Sequence, residues 1–262
     1  MWEPLHLPVC YKKGVTNLEN EIQWKVKNEM DIVGHLSELR NRIFVTVGWF
    51  VLFFLTGFLF VDYIYTFFIN DIDIDLMVIS PSEIIWIYFR MAGLVGLTGI
   101  IPVIAYEIWA FVKPGLTAKE RKVSLSYIPF LFLLFIGGLV FGYAVFVKLI
   151  FPFILSLSEG MFEVMLTVDR YFKFLFGMTI PFAFLFELPI IVMFLTTLGI
   201  LTPDFMKKIR KYAYFVLIII CTMLTPPDLV MPLIVALPLI LLYEISIQLS
   251  KWVLTRQRVS ES

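Results

Sequence analysis

Six apolar runs, separated by short polar segments, set the pattern of this chain. The first, Ile43 to Val61, is 19 residues long and sufficient to span a bilayer. Asp62 to Ile79 follows as a loop with four aspartates (Asp62, Asp71, Asp73, Asp75) and no basic residue. Ser80-Pro81-Ser82-Glu83 then reads as a capping box with proline at the first helical position. It opens a second span, Ile84 to Ala110, which carries Arg90, Pro102 and Glu107. In the basic loop Phe111 to Lys122, Pro114-Gly115 turns the chain. Thr117 and Glu120 form a second capping box, ahead of a third span at Val123 to Val147. Gly137, Gly138 and Gly142 on that span predict close helix packing. Lys148 to Arg170 reads as a loop dipping into the membrane interface through Phe151, Phe153 and Phe162.

The fourth span, Tyr171 to Leu198, contains Pro181, Glu187 and Pro189, and Gly199 ends it. Thr202-Pro203 starts a helix through Lys207, Lys208, Arg210 and Lys211. The fifth apolar run, Tyr212 to Thr225, has only 14 residues, roughly 21 Å of helix against a hydrocarbon core of about 30 Å. Pro226-Pro227-Asp228 stops it. The sixth, Leu233 to Leu249, has 17 residues and carries Pro238 and Glu244. The pattern predicts an all-α integral membrane protein with six transmembrane helices. The last two are short and either thin the bilayer locally or pack against longer neighbours.

Three regions follow. Residues 1–29 are a polar extension without an apolar signal-peptide core; they read as dispensable or as an upstream mis-assigned start. Residues 30–250 form the six-span domain, and 251–262 a polar tail. Just ahead of the first span, Asp31 can cap a helix. Leu36, Leu39 and Ile43 share one face, and Glu38 and Arg42 are spaced for an acid-first ion pair.

Hydrophobic residues make up 60% of the chain and mean hydropathy is +0.90, which fits several spans and no soluble core. Acidic and basic residues balance at 21 each, so net charge names no partner. Their distribution is informative. The N-terminal region holds Lys12, Lys13, Lys25, Lys27, Arg40 and Arg42. The loop after span two holds Lys113, Lys119, Arg121 and Lys122, and the loop after span four the cluster at 207–211. The tail adds Lys251, Arg256 and Arg258. The opposite loops hold at most Lys148, Arg170 and Lys173. The positive-inside rule places both termini in the cytoplasm. No inverted repeat is visible, which weighs against a secondary transporter.

The chemistry on offer is narrow. Cys10 and Cys221 make neither a disulfide framework nor a metal site. The two histidines, His6 and His35, both precede the first span. That excludes a haem held by paired intramembrane histidines, HExxH zinc proteolysis, and a serine protease with a histidine base in the membrane. An aspartyl intramembrane protease needs two buried aspartates, and the aspartates here lie in loops. No cofactor or nucleic acid partner is expected.

Two polar constellations remain. One is a cytoplasmic rim of Glu38, Arg40 and Arg42 before span one and Phe111, Pro114 and Glu120 before span three. A carboxylate at a headgroup surface can grip a guanidinium bidentately, and Phe111 can supply an apolar or cation–π wall. Against that stand plainer roles: Glu120 as the capping partner of Thr117, and Arg40 and Arg42 as positive-inside anchors. The other is Glu187, midway along span four. A charge at that depth costs about 2.5–3.5 kcal/mol on insertion scales. It is a docking point for another transmembrane helix, a proton site, or a group hydrogen-bonded within the chain. Arg90, Glu107 and Glu244 are weaker candidates; Glu107 and Glu244 reach water or a loop lysine. Asp228 caps the following helix or meets a partner.

GHLSELRNR (Gly34 to Arg42), PSE at span two, FVKPGLTAKERK (Phe111 to Lys122), FELP around Glu187 and TPPD (Thr225 to Asp228) occur in this order and resemble the TatC subunit of the twin-arginine protein translocase. DRYFKF (Asp169 to Phe174) and GILTP (Gly199 to Pro203) look like the Gram-positive versions. The resemblance implies a concave, glove-like fold in the bacterial cytoplasmic membrane and a non-enzymatic receptor within an oligomeric complex. Such a receptor binds twin-arginine signal peptides of folded precursors and recruits single-span TatA-type partners, driven by the proton-motive force. It further implies that Glu120 binds the signal arginines, that Glu38 assists, and that Arg40, Phe111 and Pro114 belong to the same patch. Glu187 would contact partner helices or inserted signal peptide. Two departures stand out. Glu107 replaces a frequent glutamine, and Pro232 stands where a polar group is expected, which puts partner contact near Asp228 in question. The competing readings are an ion-coupled transporter using Glu187 and Arg90 as an intramembrane pair, and a pure scaffold.

Overall fold

A computed structural model describes residues 37–70, 76–158, 165–225 and 230–261. Asp31 and the residues around His35 lie outside these, as do Asp71, Asp73, Asp75 and Asp228. The described residues are almost wholly helical: α1 (Ser37–Leu59), α2 (Val61–Ile69), α3 (Pro81–Val112), α4 (Ala118–Leu125), α5 (Tyr127–Val145), α6 (Phe151–Ser158), α7 (Val168–Phe186), α8 (Leu188–Thr197), α9 (Pro203–Leu224) and α10 (Met231–Glu261). Internal contacts divide the chain into two compact units, Met1–Val47 and Gly48–Ser262. Of the first unit, only residues 37–47, the first turns of α1, are described.

Five helical stretches among the described residues are long and apolar enough to cross a membrane. They are Ser37–Leu59, Pro81–Gly115, Glu120–Ser156, Val168–Thr197 and Met231–Arg256. α9 is not among them, because Lys207, Lys208, Arg210 and Lys211 occupy its first half.

Helix starts follow local chemistry. The Ser80 hydroxyl accepts from Ser82 N–H, with Pro81 in the first turn. Glu83, however, reaches back to Ile79 N–H at 3.4 Å, so the expected reciprocal box is replaced by two separate caps. Thr202 caps α9 ahead of Pro203. At the other end, Gly199 takes φ +72° after α8, a left-handed conformation that favours glycine.

Three expected loops and spans are built differently. Asp62 to Ile79 is not all loop. α2 occupies its start because Val61, Ile64, Tyr65 and Phe68 fall at helical spacing and pack into the main core. Lys148 to Arg170 begins as helix rather than loop: α5 runs through a π-helical turn, Phe146–Ile150, into α6. Phe146 and Ile150 are fully buried there. The fourth span is two helices that break at Glu187. Pro189 lacks an N–H and its ring crowds the preceding turn. Glu187 N–H bonds Phe184 C=O at 3.1 Å, and α8 restarts with Ile191 N–H on Glu187 C=O at 3.0 Å.

The core centres on α7. Phe172, Leu175, Met178 and Phe182 are fully buried against α2, α3, α5, α9 and α10. α5 and α7 share the most extensive helix–helix interface, and glycine makes it possible. A Cβ on Gly138 would lie 2.6 Å from Ala183 Cα, and one on Gly142 would lie 2.8 Å from Thr179 Cα. Gly137 faces open space and takes no part. Ahead of α7, Met77 and Thr167 form a parallel bridge, with Met77 N–H on Leu166 C=O and Val168 N–H on Met77 C=O, both at 3.0 Å.

Candidate functional site

At the start of α1, Glu38 Oε1 accepts from Arg42 Nη2 at 2.6 Å and from Nε at 3.1 Å. This is the acid-first pair that the spacing predicts. Arg40 is exposed on the same turns.

The other rim residues sit on one continuous stretch. Phe111 lies in the last turn of α3, and Pro114 in a 3₁₀ turn, Lys113–Gly115. Glu120 stands in the first turn of α4. Thr117 leaves the turn in an extended conformation and caps α4. Its N–H and its hydroxyl both donate to Glu120 Oε2, at 3.0 and 2.7 Å. Glu120 N–H in turn faces the Thr117 hydroxyl at 3.4 Å. The capping role of Glu120 is therefore present in full. It also holds the carboxylate in one place at a partly exposed position, as an anionic acceptor for a guanidinium requires.

Sequence reasoning missed Trp109 and Ser124. The indole Nε1 of Trp109 donates to Ser124 Oγ at 3.1 Å, and Ser124 Oγ donates to Glu120 C=O at 2.7 Å. Both side chains are buried. No periodicity links a tryptophan on one helix to a serine 15 residues later; the only available signal is that a buried indole N–H needs an acceptor.

Glu187 sits in the α7–α8 break, 4% exposed. Neither carboxylate oxygen has a hydrogen-bond partner, so of the three readings of Glu187 the hydrogen bond within the chain is absent among the described residues. Arg90 does not pair with it. The Arg90 guanidinium binds Asp169 at the start of α7, Nη1 to Oδ1 2.6 Å and Nη1 to the backbone carbonyl 2.9 Å. The intramembrane Arg90–Glu187 pair on which the transporter reading stood does not form, because Asp169 offers Arg90 a carboxylate and a carbonyl together.

Glu244 is tied neither to water alone nor to a lysine. It accepts from Arg210 Nη2 at 2.8 Å and from the Tyr214 hydroxyl, joining α10 to α9. Tyr243 adds a bond to Met206 C=O at 2.9 Å. Pro232 is buried in the first turn of α10; Asp228 lies outside the described residues. Among the described residues no cluster of His, Cys, Asp and Glu can hold a metal ion.

Residues 34–238 match the family model of the Sec-independent protein translocase protein TatC. The chain is 48% identical over 236 residues to TatCd of Bacillus subtilis, covering 90% of this chain and 98% of that protein. It is 42% identical to TatCy of the same organism over 229 residues, covering 86% and 90%. A crystal structure of the twin arginine translocase receptor TatC superposes with a TM-score of 0.71 at 30% identity, over 84% of this chain and 99% of that one. The similarity runs through both the sequence and the helical fold: the chain belongs to the TatC family of Sec-independent protein translocase proteins.

Proposed function

We propose that this chain is the receptor and core subunit of a twin-arginine protein export system. It is a translocase component, not an enzyme. It sits in the bacterial cytoplasmic membrane with both termini inside, and α9 supplies the sixth crossing. Glu120 takes the guanidinium groups of the signal peptide, and Glu38 and Arg40 assist. Phe111 and Pro114, on the same stretch as Glu120, offer apolar surface to the signal peptide. Glu187 meets the helix of a TatA-type single-span partner, and the proton-motive force drives transfer of the folded cargo. Asp228 contributes at the opposite turn.

The observation that carries this reading is the double anchoring of the Glu120 carboxylate by Thr117. A fixed carboxylate loses little freedom on binding. An exposed ion pair contributes about 0–1 kcal/mol, whereas a hydrogen bond to a charged group contributes about 1.5–3 kcal/mol. Two arginines so held give selective yet reversible binding. The test is the affinity of the purified protein in detergent for a synthetic twin-arginine signal peptide, beside a twin-lysine control. Binding should be confined to the arginine peptide, and Glu120→Ala should weaken it more than Glu38→Ala. Equal binding of both peptides would sink the reading; equal losses, or the reverse order, would sink the ranking.

A further inference from the structure

We propose that Trp109 and Ser124 are positioning residues for the arginine-reading site. Their buried hydrogen bond closes the stretch 110–123, and so sets where Phe111, Pro114 and Glu120 stand. The inference rests on the reading of Glu120 as the arginine acceptor.

Three observations carry it. First, all three candidate residues of this stretch lie between the two bonded side chains in sequence, so one contact fixes the ends of the whole loop. Second, α4 also meets α5 and α8, yet its described apolar side chains do not anchor it. Its Val123 and Leu125 are 44% and 41% exposed, while Ser124 is 2% exposed and Trp109 7%. The buried anchor of this short, charged helix is thus polar, and a buried polar bond is specific in direction as well as distance. Third, the hydrogen atoms run one way. An indole N–H can only donate, so Ser124 Oγ accepts from Trp109 and spends its own proton on Glu120 C=O. The relay ends on the residue whose side chain Thr117 holds. Glu120 is gripped at its carbonyl from one side and at its carboxylate from the other. The indole is itself set in place by Tyr106, with ring centroids 5.8 Å apart, and by Lys113 Nζ, 5.5 Å from its ring centroid.

The test uses the full-length protein in detergent and the same twin-arginine and twin-lysine peptides. Trp109→Phe, which removes one hydrogen bond, should weaken twin-arginine binding about three- to tenfold; Ser124→Ala, which removes two, should weaken it at least as much, and both should lower discrimination against the lysine peptide. The double variant should bind no worse than the weaker single one, because the two side chains act as one contact. If either single variant folds poorly, the other carries the test. Gly138→Ala, destabilised away from the loop, is the control for a purely structural effect. If it loses arginine discrimination to the same extent at a matched drop in melting temperature, positioning is overturned. Wild-type affinity in both Ser124→Ala and Trp109→Phe overturns it too. Glu120→Gln separates the layers. If Glu120→Gln binds like wild type, the assignment of Glu120 fails and the positioning role falls with it. If only Glu120→Gln loses binding, the positioning role fails alone.

Discussion

Replacing Gly138 with alanine tests the packing that holds α5 against α7. The new methyl would sit 2.6 Å from Ala183 Cα, 2.9 Å from Phe186 Cβ and 3.1 Å from Phe182 C=O. Two of these neighbours are backbone atoms and cannot swing aside. Relief requires the helices to part by on the order of 1 Å, and overpacking of this kind costs about 1–3 kcal/mol. The better helix propensity of alanine returns about 1 kcal/mol, leaving a net loss of up to about 2 kcal/mol. In a chain of this size that lowers the melting temperature by up to about 8 °C. Gly142→Ala, with its Cβ 2.8 Å from Thr179 Cα, should behave alike. Gly137→Ala meets nothing within 4 Å and should melt at or above wild type. Thermal inactivation in detergent, followed as half-life at fixed temperature because such unfolding is often irreversible, ranks the three. If Gly138→Ala and Gly137→Ala decay at the same rate, the close approach is wrong. Phe186 adjoins Glu187, so the same variant should also impair partner assembly.

Three further outcomes are expected. Glu187→Ala should leave signal-peptide affinity mostly intact while abolishing co-purification of a single-span partner, whereas Glu187→Met should raise the melting temperature of the isolated protein, since it removes an unpartnered buried carboxylate that costs about 1–3 kcal/mol; a lower melting point for Glu187→Met would show that the carboxylate serves the fold. Glu244→Ala should destabilise by about 1–2 kcal/mol, because it strands Arg210 and Tyr214 together, and Glu244→Gln should lie between it and wild type on the same melt. Arg90→Ala should lose about 1 kcal/mol, as befits an ion pair that keeps about a quarter of each side chain exposed; in a double-mutant cycle with Asp169→Ala the two effects should overlap, and strict additivity would deny the pairing.

Features set by neighbouring residues were legible before any coordinates. The Thr117–Glu120 box, the Glu38–Arg42 pair, the helix start at Thr202-Pro203 and the stop at Gly199 each follow from chemistry within four residues. Features set by packing were not. The spacing of Val61, Ile64, Tyr65 and Phe68 was hidden at the head of an aspartate-rich stretch, so α2 read as loop. Arg90 meets a partner 79 residues away, and Glu244 one 34 residues away; polarity inside an apolar run announces that a partner is needed but not which one. Among the candidate site residues, the carboxylates stood out because charge is rare there, while Trp109 and Ser124 looked like ordinary constituents of a span and its flank.

The π-helical turn carries a consequence for chain length. On a regular α-helix, positions five apart point roughly 140° away from each other. Phe146 and Phe151 are five apart, yet their rings lie 5.4 and 5.5 Å from that of Tyr171 and 5.7 Å from each other. The widened turn absorbs one extra residue and rotates everything after it back onto the same target. A relative lacking one residue here can run straight through as α-helix without disturbing α5, and a relative with the extra residue must bulge. A chain shortened by one residue here would keep both aromatics on one face of a regular α-helix, and would align with this one only through a one-residue gap.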